Sequence, residues 1–152
     1  MKGIDVLQRW APRYARIAIG AAFLSAVAGR FGLWQGYVRW ESFDRFLART
    51  AELNAWAPPF LVPVLAWSST IAETTLAVAL IAGIGLRWAA LGSAVLLAWF
   101  GLAMLVYTGL KAPLDYSVFS ASACALFLAL HEHRAATSKE SGAETPSASA
   151  FP

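Results

Sequence analysis

The chain has 152 residues, enough for one domain, and is 59% hydrophobic but only 14% charged. Soluble domains carry about 45–50% apolar and roughly 25% charged residues, so composition points to a membrane protein before any motif is read. The net charge of +3 is scattered at the ends of apolar runs and forms no basic patch, which excludes nucleic acid as a partner, and a single cysteine excludes an internal disulfide framework.

In chain order, the elements follow from bilayer thickness. A hydrocarbon core of about 30 Å needs roughly 20 helical residues. Residues 14–36 supply a first span, whose apolar run begins at Ile17 and must pass through Arg30 to reach across. The alternative is a signal peptide ending at Ala26-Val27-Ala28. Against it, the basic segment up to Arg16 is long, and the apolar pattern continues through Phe31, Leu33 and Trp34. In the loop that follows, Trp40, Phe43, Phe46 and Leu47 recur at helical spacing, with Glu41, Asp44, Arg45 and Arg49 on other faces. This predicts a short amphipathic helix, lying in the outer interface or packed over the bundle mouth as a lid.

Pro58-Pro59 ends that helix, and residues 60–86 form a second span interrupted only by Glu73. Residues 88–110 form a third, free of charge, with Trp88 and Tyr107 near the two interfaces. Residues 113–131 form a fourth, in which Pro113 suits a helix first turn. From residue 135 onward Ser, Ala, Thr, Glu and Pro dominate, and a disordered tail is expected. The expected fold is therefore all-α: a polytopic four-transmembrane-helix bundle over residues 1–134, with residues 135–152 as a cytoplasmic tail. With the N-terminus inside, Lys2, Arg9, Arg13, Arg16, Arg87, Arg134 and Lys139 lie on the cytoplasmic side. Arg39, Arg45, Arg49 and Lys111 then lie outside, and seven basic residues against four place both termini in the cytoplasm.

Sequence distance converts to depth at 1.5 Å per helical residue. Glu73 lies fourteen residues before Arg87, and Arg30 fourteen after Arg16, so both sit about 21 Å above the inner boundary. Asp115 lies sixteen residues before His131, about 24 Å up. Each charge has a bland explanation. The apolar remainder of span two can carry Glu73, Arg30 can snorkel, and Asp115 suits a helix first turn. Taken together, they favour an Arg30–Glu73 pair inside the bundle with Asp115 near it, because intramembrane charges face the interior and pair. Arg30, Glu73, Asp115 and Tyr116 are the candidate intramembrane polar site. Whether this charged layer accepts a ligand or only fixes helix packing, as in a non-catalytic membrane scaffold, stays open.

No CxxC occurs, so the chain cannot run dithiol exchange alone. His131 and His133 are adjacent on one helix, and with no metal-ligand cluster in the sequence neither haem nor metal is expected. Cys124, within "YSVFSASACA", reads as a small packing residue among others that let helices approach.

The stretches "RIAIGAAFLSAVAGRFGLW", "IAETTLAVALIAGIGLRWAAL" and "KAPLDYSVFSASA" resemble the DoxX-like membrane proteins of bacteria over residues 13–130. The resemblance implies a four-helix protein of the bacterial cytoplasmic membrane that works as a subunit or accessory of a quinone- or thiol-linked redox system. Quinone is then the candidate cofactor. The expected partners are the lipid bilayer, a redox partner protein and a second copy of the chain.

Overall fold

Glycines in the left-handed region mark where the helices stop. The computed structural model describes residues 2–34 and 42–143. In chain order these form α1 (Lys2–Arg30), α2 (Phe43–Leu53), α3 (Leu61–Ala82), α4 (Leu86–Thr108), α5 (Lys111–Asp115) and α6 (Val118–Ala143). Beyond α1, Gly32 has φ 76°, and the Gly32 and Leu33 amides donate to the carbonyls of Gly29 and Ala28 at 3.2 and 3.0 Å. This pair of reverse bonds is a Schellman cap, and it makes Arg30 the last residue of the helix. Gly83 and Gly109, both at φ 80°, end α3 and α4 in the same region of φ.

The four long helices form a ring: α1 packs on α3, α3 on α4, α4 on α6, and α6 back on α1. The interior is built from small residues. Ala66, Ala77, Ala90 and Ala125 are fully buried, with Phe23, Leu80 and Leu128 filling between them. A Cβ on Gly20 would come within 2.8 Å of Ile81, and one on Gly101 within 2.6 Å of Phe119. Such close helix approach is the packing that membrane bundles use. Ser122 Oγ adds a bond across helices, donating to the Ala94 carbonyl at 2.8 Å. The large apolar side chains point outward instead: Trp67, Ile71, Val78, Trp88, Val95, Trp99 and Phe127 are exposed. Helices α3 and α4 are each long and apolar enough to cross a membrane.

Several sequence expectations change. Helix α1 starts at Lys2, with Pro12 inside it, and so extends twelve residues ahead of the expected first span. Residues 35 and 36 of the expected first span lie outside the described residues. The fourth span is not one helix. Helix α5 closes at Asp115, Ser117 takes φ 53°, and α6 begins at Val118. Beyond residue 134, α6 stays helical to Ala143 where composition predicts disorder; residues 144–152 lie outside the described residues. Ala135, Ala136, Lys139 and Glu140 are strong helix formers and extend the helix without a core to bury. Cys124 is exposed on the outer face of α6 and does not pack between helices.

Candidate functional site

Arg30 reaches its partner because α1 ends there. From the last helical residue the side chain turns inward and is only 7% exposed. Its Nη2 donates to Glu73 Oε1 at 2.6 Å and to Oε2 at 2.8 Å. Glu73, on α3, is 1% exposed. Nη1 donates to Thr70 Oγ1 at 2.9 Å, and that hydroxyl donates in turn to the Ala66 carbonyl at 2.8 Å. Thr70 and Glu73 are one helical turn apart and share a face, so α3 offers Arg30 two acceptors at once. The fourth side of the site is aromatic, with the guanidinium carbon 3.9 Å from the Phe46 ring centroid. A cation over a ring face in a desolvated place gains electrostatically from the ring quadrupole.

Phe46 belongs to α2, which lies over the bundle. Ser42 caps this helix by accepting from the Arg45 amide at 3.3 Å. Phe43 stacks on Phe31 at 5.9 Å and meets Trp67 at 4.6 Å, and Thr50 is buried. The amphipathic segment is thus a helix over Phe43–Leu53 whose covered face packs on α1, α3 and α4. Trp40 and Glu41 lie outside the described residues.

Beside the pair, under α2, a groove of about 570 Å³ opens between α3 and α4. Its walls are apolar, with Leu65, Ala72, Leu97, Trp99, Phe100 and Met104. Its polar lining comes from Arg30, Arg49, Thr50, Asn54, Ser68 and Ser69. A concave, mainly apolar site of this size with a few polar groups is the usual form of a small-molecule pocket. Every charge there is compensated, Arg30 by Glu73 and Arg49 by Glu52 at 2.8 Å. The groove therefore suits a neutral headgroup on an apolar body.

Of the four candidate residues, the structure brings together Arg30 and Glu73. Asp115 stands apart, exposed, and accepts from Lys111 Nζ at 2.6 Å, one turn away. The break at Ser117 separates it from α6, so its depth cannot be counted along that helix. Tyr116, in the same break, is 67% exposed and contributes to the groove wall. Sequence reasoning missed Thr70, Thr50 and Asn54. Thr70 had a readable signal, three residues before Glu73. Thr50 and Asn54 had none, since their position depends on how α2 docks. Among the described residues no cluster of His, Cys, Asp and Glu is arranged to hold a metal ion.

The family model of methylamine utilisation protein MauE matches residues 8–115, which run from α1 through α5 and include both Arg30 and Glu73. That match corrects the DoxX-like resemblance: MauE is a different membrane family, and no DoxX model matches. The motifs that suggested DoxX are ones that bilayer physics favours in many families, such as a basic residue at a span boundary, a glycine-rich helix end and a proline-led helix start. No curated protein and no solved structure matches the chain.

Proposed function

The chain belongs to the membrane family of methylamine utilisation protein MauE, and we propose that it is an integral accessory of a redox system acting in methylamine utilisation. The family match over residues 8–115 carries this reading. Oxidative release of nitrogen from methylamine removes two electrons per C–N bond cleaved, so such a system needs electron transfer. This chain has one cysteine, and dithiol exchange needs a second thiol. The fitting role is support of a partner oxidoreductase in the membrane.

In this reading α1, α3, α4 and α6 all span the bacterial cytoplasmic membrane, with both termini in the cytoplasm. The ring packing of the four helices and the excess of basic residues at one end support it. The Arg30–Glu73 pair holds α1, α2 and α3 in register, and the groove beside it is the ligand site. A quinone fits its chemistry, because a neutral ring carbonyl accepts hydrogen bonds from the polar lining while an isoprenoid body lies along the apolar wall.

Deletion of the coding sequence in the source organism tests the role. Growth with methylamine as sole nitrogen source should be lost and restored by the wild-type chain. Undiminished growth of the deletion strain overturns the assignment.

A further inference from the structure

A second cleft lies at the opposite end of the bundle, where the first turns of α1 pass the far half of α6. It has a volume of about 500 Å³ and is lined by Asp5, Gln8, Arg9, Pro12, Arg13, Arg16, His131 and Glu132. Arg9, Arg13 and Arg16 recur at i, i+4 and i+7, which sets three guanidiniums on one face of α1. Elsewhere in the fold, Arg30, Arg49 and Lys111 all hold a carboxylate. Among the described residues no ion pair engages Arg9, Arg13 or Arg16. Arg9 donates to the Asp5 carbonyl at 3.4 Å, and Arg13 sits 5.3 Å from the Trp10 ring. Arg16 Nε is buried without a hydrogen-bond partner. Asp5 and Glu132 offset two of the three arginine charges and leave one positive charge in excess.

We propose that this cleft binds the phosphate of an anionic phospholipid. Guanidinium forks match phosphate oxygens, and basic pockets between membrane helices on the cytoplasmic side hold acidic headgroups. The position favours a lipid over a free phosphate. The apolar run of α1 begins at Ile17, directly after Arg16, and Tyr14 and Ile17 are 77% and 51% exposed beside the cleft. A headgroup seated on Arg13 and Arg16 therefore leaves its acyl chains on an apolar helix face. The proposal does not depend on the role in methylamine utilisation.

The test uses the full chain in nanodiscs of phosphatidylcholine doped with phosphatidylglycerol, with lipid retention read by native mass spectrometry. Wild type should retain phosphatidylglycerol in preference to phosphatidylcholine. Each guanidinium removed should weaken retention about fivefold, so R13Q/R16Q loses about 25-fold. R9Q, at an exposed position, gives the single-step loss if the double variant fails to fold. R87Q, on α4 and outside the cleft, should retain lipid as wild type does. Equal retention of the two lipids, or no loss in R9Q and R13Q/R16Q, overturns the site. Inorganic phosphate that displaces phosphatidylglycerol at millimolar concentration overturns the lipid assignment in favour of a soluble phosphate.

Discussion

Replacing Glu73 with Gln strands a guanidinium that is 7% exposed and donates to both carboxylate oxygens from one nitrogen. At a charge separation of about 4 Å and an effective dielectric of about 20, the lost attraction is about 4 kcal/mol. Part of it persists, because the amide oxygen still accepts from Nη2, Thr70 still accepts from Nη1, and the Phe46 face is untouched. Breaking a buried pair from one side costs about 3–5 kcal/mol in soluble proteins. The cost is smaller where the survivor can snorkel, and Arg30 stands at the end of its helix. E73Q and R30M should each lose about 2–3 kcal/mol, and the double variant should recover about 2 kcal/mol of the sum. T70V should lose about 1 kcal/mol by removing one acceptor. Reversible unfolding in mixed detergent micelles, followed by tryptophan fluorescence, measures all four. Single effects that add to within about 0.5 kcal/mol would refute direct pairing.

With Cys124 replaced by Ser, cysteines at the exposed positions 44, 48 and 52 should react strongly with a membrane-impermeant maleimide, and those at 46 and 50 weakly; uniform labelling would mean that α2 is not seated on the bundle. A72F fills the groove beneath the lid and should abolish quenching of Trp99 by a short-chain quinone, whereas unchanged quenching removes the groove as the site. Reporter fusions ending at residues 50, 84, 110 and 140 should read outside, inside, outside, inside; an exported signal at 140 rules out the proposed orientation.

Depth counting brought Arg30 and Glu73 together because Arg16 and Arg30 share α1, and Glu73 runs unbroken to Ala82 at the end of α3, only five residues short of Arg87. The same ruler fails for Asp115. Its fixed rise per residue holds only within one helix, and Ser117 at φ 53° breaks the chain between Asp115 and His131. No local pattern announced that break, since Asp, Tyr and Ser are all admissible near a helix start. For α2, periodicity establishes an apolar face but not what covers it. That is decided by Phe31 and Trp67, which belong to other elements. Cys124 illustrates the same limit, because a small residue on a membrane helix suits both a packed and an outward face.

The lid and the pair are not independent devices. The Arg30 guanidinium contacts both the Glu73 carboxylate and the Phe46 ring, so the seating of α2 and the pairing of α1 with α3 share one side chain. A charged pair left open to a headgroup or water would be better solvated, and α2 excludes both. The groove lies under the same helix and shares Arg30, Phe46 and Thr50 with it. A ligand that binds only beneath the seated lid must therefore stabilise the lid by the amount set by its concentration relative to its dissociation constant. Conversely, a change that lowers the seated fraction of α2 lowers the apparent affinity of such a ligand in the same proportion. F43A, which removes the packing of α2 on Phe31 and Trp67 at a residue that does not line the groove, should thus lower quinone affinity and raise labelling at position 50 together. Movement of one without the other would show that the lid and the groove act separately.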